Sequence, residues 1–348
     1  MKEQIIDYLL QHANPSIRLR VQREVLNNLS PIEEAQLLAE IARHPHVQTV
    51  LQAQQADGWI GNVFHGASPA QGAGMFDNME VGLRYLMEKG FPPEHEHIRR
   101  AVHSFLADVP GEFRGPGPAD EYDLTAIGQY LLRSSIIIRA GYEYTLPPNP
   151  WIHLAHDVDV SFRTFTNVLN FHSLDQVVDT TQRKLCFQPG MAWPCSYDLR
   201  MLAHSQGWRG PSHVALLAQA LNHLFSFPHA EDKMVYTKIK SQYKSPCLAF
   251  IHNQMFCLGM MDPGYFNFDL MELFARLGVM DQVPFLKNKL DWLLGQIDHQ
   301  LNIRYKPPAG ERNWGPYGGY ALEDDWKSKT RKQCDLLFRV LLILHYGG

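Results

Sequence analysis

The chain is short of most features that announce a function. Its 348 residues include five cysteines, an odd number without framework spacing. That argues against a disulfide-stapled secreted domain and for a reduced, cytoplasmic protein. No apolar run approaches the ~20 residues of a membrane span. The opening Met1-Lys2-Glu3-Gln4-Ile5-Ile6-Asp7 starts an amphipathic helix and lacks the apolar core of a secretory signal. Neither sign of charge dominates: Lys plus Arg is 32 and Asp plus Glu is 36, a net of −4. That balance leaves no electrostatic footprint for nucleic acid or an anionic membrane. Also missing are a Gly-x-Ser-x-Gly elbow, a phosphate-binding Gly-Lys-Ser/Thr loop and a dinucleotide fingerprint. Strand signals are few. The 17 histidines are scattered rather than paired at metal-ligand spacing.

What is present is a recurring segment. Tyr122-Asp123-Leu124-Thr125-Ala126-Ile127 returns as Tyr197-Asp198-Leu199-Arg200-Met201-Leu202 and as Phe268-Asp269-Leu270-Met271-Glu272-Leu273. The aspartates stand 75 and 71 residues apart. After each copy come an apolar helical stretch, a Gly-containing break and a second helical stretch. A unit of this kind predicts an all-α repeat protein whose hairpins bury their apolar faces on their neighbours.

Local signals place further helices. Asn14 precedes Pro15, and Ser30-Pro31-Ile32-Glu33 is a capping box with Pro at the first helical position. Asp57-Gly58 predicts a turn that tucks Trp59 against a preceding helix. Met79 to Lys89 reads as a helix stopped at Gly90, and Thr330 to Tyr346 as a long terminal helix. Residues 1–44 are expected to form an N-terminal helical extension packed on a repeat body spanning 45–348.

The stretch Gln54-Gln55-Ala56-Asp57-Gly58-Trp59 resembles the Gln…Gly-x-Trp repeat of the prenyltransferase and squalene-cyclase superfamily, with the Gly–Trp spacing shortened. Gly111-Glu112-Phe113 is a weaker echo. The resemblance implies an α/α toroid, with inner and outer helices alternating around a central cavity, over roughly residues 45–346. Two departures qualify it. The Asp-x-Asp-Asp acid motif of class II terpene cyclases is reduced to Asp157-Val158-Asp159-Val160, which falls at the start of an outer helix. The Asp-x-Cys zinc pair of protein prenyltransferases is absent, and so is the Cys-His dipeptide of the lanthionine-cyclase toroids. Cys247, His252 and Cys257 are spaced by five, which at about 100° per residue scatters them around a helix. No metal and no cofactor are therefore expected.

Two sets of residues remain for chemistry. Acids at helix starts, with Asp123, Asp198 and Asp269 foremost, are the candidate catalytic carboxyls, since apolar walls raise a carboxyl pKa toward general-acid use. Their bland role is capping of their own helices. Aromatics in Gly- and Pro-rich loops form the second set: Trp59, His65, Trp193, Tyr265, Trp314 and Tyr317 as candidate substrate-binding residues. Glu323-Asp324-Asp325 reads as a stretch leading into the terminal helix.

These residues, with the resemblance, support a cavity that binds or transforms a small, largely apolar, isoprenoid-like molecule by acid–base chemistry. A non-catalytic toroid scaffold binding a ligand or protein, and a carbohydrate-active lyase or hydrolase, stay open beside it. The expected partner is a small molecule in the toroid cavity, not nucleic acid or a membrane. Oligomeric state leaves no mark in the residues.

Overall fold

Helices start where side chains can satisfy their first N–H groups. Asn14 Oδ1 accepts from Ile17 N–H at 3.1 Å. Ser30 and Glu33 close the capping box in both directions. The structure is a computed structural model. It describes residues 1–64, 76–107, 124–143, 154–179, 181, 183–188, 191, 193–227, 235–239, 242–244, 262, 264–308, 310–315 and 318–348.

The chain is mostly helical. The α-helices are α1 (Lys2–His12), α2 (Pro15–Arg20), α3 (Pro31–Ala42), α4 (Pro45–Ala53), α5 (Met79–Glu88), α6 (Glu96–Ala107), α7 (Leu124–Arg139), α8 (Leu154–Thr166), α9 (Ser196–His204), α10 (Pro211–Ser226), α11 (Phe268–Arg276), α12 (Pro284–Leu294) and α13 (Lys329–Tyr346). Strand is confined, among the described residues, to two short antiparallel pairs. These are β1 (Val178–Asp179) with β2 (Cys186–Phe187), and β3 (Thr237–Ile239) with β4 (Gln242–Lys244). No helix among the described residues is long and apolar enough to cross a membrane.

Packing divides the chain into two compact units, Met1–Pro118 with Leu294–His345, and Ala119–Leu293 with Tyr346–Gly348. The helices expected as an N-terminal extension belong to the first unit. There the turn expected at Asp57-Gly58 is present. Asp57 Oδ1 accepts from Trp59 N–H at 3.0 Å, and Gln55 N–H donates to Trp59 C=O at 2.7 Å. Gly58 has φ +95°, and a Cβ there would lie 2.2 Å from Arg100 O, so glycine is required twice over. Gln54 then donates from its amide to Gly58 O and His97 O, both at 2.9 Å, fastening the turn to α6. Trp59 sinks into the core against Phe105, with ring centroids 5.8 Å apart.

In the second unit the three helices that begin at the recurring segment pack in a row, α7 on α9 and α9 on α11. The helices between them, α8 and α10, pack on each other, and α8 also packs on α9. The row buries Ile136, Ile137, Leu199, Met201, Leu202, Leu270 and Phe274, and with them the polar side chains of Arg133, Asp198, Arg200 and Glu272. Burial of such a face, at about 25 cal/mol per Å², is what a short helix needs, because helices of this length are marginal in water by themselves.

Candidate functional site

Helix α5 organises the first unit's polar interior. Apart from Met87, all its residues are buried, Arg84 and Glu88 included, and Lys89 directly after it is buried as well. Charges in such surroundings persist only with partners. Arg84 donates to Gly315 O and, at 2.7 Å, to Gly318 O. Lys89 Nζ donates to Leu322 O at 2.6 Å. From α13, Asp335 accepts from Leu322 N–H at 2.6 Å, Glu323 N–H at 3.1 Å and the Trp326 indole N–H at 2.7 Å. Arg339 donates to Tyr320 O at 2.8 Å. Backbone groups of Gly315, Gly318, Tyr320, Leu322 and Glu323, in irregular chain, are thus met by buried charged side chains of two helices. Gly319, at φ +112°, makes the turn that brings the loop back over Trp314.

Rings line one side of this cluster in unbroken succession. His44 lies 5.4 Å from His46, His46 4.7 Å from Phe76, Phe76 4.5 Å from Tyr85, and Tyr85 5.1 Å from Trp314. His46 is exposed and Asp324 keeps 53% of its side chain exposed, whereas Tyr85 and Trp314 are buried. The stack therefore runs from solvent to interior.

His44 sits where the stack meets charge. As the cap of α4, it accepts from His46 N–H on Nδ1 at 3.2 Å. Nδ1 is consequently an acceptor, and the Tyr85 hydroxyl oxygen lies 3.5 Å from it. Nε2 lies 2.8 Å from Asp324 Oδ1. Burial, reinforced by the Lys89 charge, holds the imidazole pKa down to about 4. Burial also keeps the Tyr85 phenol protonated far above neutrality. It lowers Lys89 to about 8 and raises Glu323, which accepts from Asn14 N–H at 2.9 Å, to about 7. Groups whose pKa values are displaced toward neutrality from both sides are the usual raw material of acid–base sites. His44 is expected to remain neutral down to about pH 4; an imidazole 15N spectrum showing protonation near pH 6.5 would contradict that.

No protein-family model, curated protein or solved structure matches this chain.

The residues singled out from the sequence fall in several places. Trp314 belongs to the ring stack, and its indole N–H donates to Ala321 O at 2.7 Å. Trp59 is a core residue. Trp193 is buried against Phe171 and Phe227, at 6.0 and 5.6 Å. Tyr265 accepts on its backbone carbonyl from Lys289 at 3.0 Å. Asp198 is buried; it accepts from Cys195 N–H, closing a capping box, and from Ser161 Oγ–H, each at 2.8 Å. Burial raises its pKa. Asp269 pairs with Arg200, while its helix is capped by Asn267. Asp198 and Asp269 stand on neighbouring helices but face different partners, Asp198 toward α8 and Asp269 toward α9. Asp159, of the reduced acid motif, is exposed and paired with Arg163 at 2.6 Å. Asp123, His65 and Tyr317 lie outside the described residues, as do Cys247, His252 and Cys257.

Among the described residues no three His, Cys, Asp or Glu side chains gather as a metal site. Sequence reasoning missed His44, Tyr85 and Lys89. The available signals were modest: a His-Pro pair opening a helix, and a lysine directly before the glycine that ends one.

Proposed function

We propose that this chain follows the helical-hairpin plan of the prenyltransferase and squalene-cyclase superfamily and handles a small, largely apolar molecule by acid–base chemistry. The alternation of α7, α9 and α11 with α8 and α10 supports the α/α-toroid plan. The site of the chemistry is the ring stack of the first unit. One observation carries the assignment: Asp324, His44 and Tyr85 form a run of polar contacts beside the rings of His46, Phe76 and Trp314. The rings offer apolar surface to the ligand body. The Tyr85 oxygen takes a proton from a ligand carbon as its own hydroxyl proton passes to His44 Nδ1, Asp324 stabilises the imidazolium so formed, and the reverse passage returns a solvent-derived proton to that carbon.

The test is solvent deuterium incorporation into short branched alkenols and alkenals, read by mass spectrometry. Incorporation is expected with wild type and should fall about 100-fold or more in Tyr85→Phe and Asp324→Asn. Incorporation unchanged in both variants would remove the chemistry from this site. A second reading, binding without turnover, is favoured by one observation: Lys89 and Asp335 are already engaged in holding the 310–326 loop. Ligand binding that depends on Trp314, with no incorporation at all, would select it.

A further inference from the structure

Asp335 of α13 is buried, and it holds the loop on both sides of Asp324. Its carboxylate accepts from Leu322 N–H and Glu323 N–H, which precede Asp324, and from the Trp326 indole N–H, which follows it. Leu322 is fixed at its carbonyl as well, by Lys89 Nζ and Asn14 Nδ2. Asp325 accepts from Lys327 N–H at 2.8 Å and from Arg331 Nη1 at 2.9 Å, which ties the next residue to α13.

Asp324 stands among these anchored residues with its own side chain 53% exposed. Packing does not hold it, yet its Oδ1 lies 2.8 Å from His44 Nε2. A side chain on irregular backbone is placed only as well as that backbone is. Meeting the N–H groups of the loop does not by itself call for an acid, since a neutral acceptor does so without burying a charge. Burial raises the Asp335 pKa, and its Trp326, Leu322 and Glu323 donors and the Arg339 charge oppose that rise. What a carboxylate adds is two oxygens on one rigid group, reaching from residue 322 to residue 326. Both flanks of Asp324 thereby take their place from a long helix.

We infer that Asp335 is a positioning residue, which through Leu322, Glu323 and Trp326 sets the Asp324 carboxylate against His44. Its consequence for turnover rests on the acid–base reading of the ring stack; the Asp324–His44 contact itself does not. Asp335 acts at one remove, and Asp324 is the group that meets the imidazole.

The experiment joins imidazole 15N spectra of the full chain to the kinetics of deuterium incorporation into the branched alkenols. In Asp335→Asn the His44 Nε2 resonance should move most of the way to its position in Asp324→Asn. Incorporation should fall about 10- to 100-fold in kcat, with KM changed by less than about twofold. Adding Asp335→Asn to Asp324→Asn should cost nothing more, because the two act in series. Trp326→Phe is the second variant. It keeps the Asp335 charge and removes one of its donors, so it separates placement from field, and it should move the Nε2 resonance part of the way. A purely structural Asp335 would lower the melting temperature and leave the Nε2 resonance and the kcat of the folded chain as in wild type. That result, or an Nε2 resonance unmoved in Trp326→Phe, overturns the inference. If wild type incorporates no deuterium, the proposed reaction fails, and the spectra still decide whether Asp335 places Asp324.

Discussion

Glu88→Ala is expected to destabilise the protein by about 3–5 kcal/mol. The Glu88 carboxylate receives Arg20 Nη1 at 2.6 Å and Arg339 Nη2 at 2.8 Å, and all three residues are at most 4% exposed. Removing the acid leaves two guanidiniums in the interior facing each other. Arg20 retains Glu24 at 2.6 Å, and Arg339 retains the Tyr320 carbonyl, so the loss stays finite. Against the ~5–15 kcal/mol that holds a typical domain together, it is a large fraction. Asp291→Asn, which breaks the exposed Lys287–Asp291 pair, is the control and should cost less than about 1 kcal/mol. Urea unfolding of both variants checks the difference. Near-equal midpoints would mean that the Glu88 cluster is solvated in solution.

The second large effect is on the pH dependence of stability. Glu323 is raised in the folded state to about 7, well above the ordinary carboxyl value. The folded chain then binds a proton that the unfolded chain has already released between about pH 4.5 and 7. The stabilisation from that proton is complete below about 4.5 and is lost as pH rises through 7. Lys89 acts with the opposite slope: its lowered folded pKa, about 8, means that stability recovers as pH rises from 8 toward 10.5. In Glu323→Gln the fall in stability between pH 5 and 7 should be reduced by an amount on the order of a few kcal/mol, measured at pH 7 relative to pH 5. Lys89→Met should flatten the rise above pH 8. If the wild-type and Glu323→Gln curves run parallel from pH 4 to 8, Glu323 titrates normally and is not part of a buried cluster.

How much of this could be read from the chain follows from how far each interaction reaches. The caps at Asn14 and Ser30, the turn before Trp59 and the terminal helix all depend on residues within one or two turns of each other, and their sequence signals identify them. The recurring Asp segment is likewise legible as a row of helix starts, because its periodicity is local to each copy. What each aspartate meets is not: Asp198 finds Ser161 and Asp269 finds Arg200, partners set by helix packing. The charged cluster of the first unit is harder still. Glu88 joins residues 20 and 339, and Lys89 bonds a carbonyl at 322, so no window of sequence contains the pattern. Trp314 stands between these cases. Its loop marks it for attention, and the structure adds that it is buried, so its replacement by alanine costs stability as well as any ligand contact.

Photolabelling with a short branched-alkenyl diazirine tests the proposed site most directly. After irradiation and peptide mapping, adducts should concentrate on the peptides carrying His44–His46 and Trp314–Asp324, and excess unlabelled alkenol should suppress them. Adducts spread over the surface, or gathered elsewhere and indifferent to competitor, would contradict the assignment of the ring stack as the ligand site.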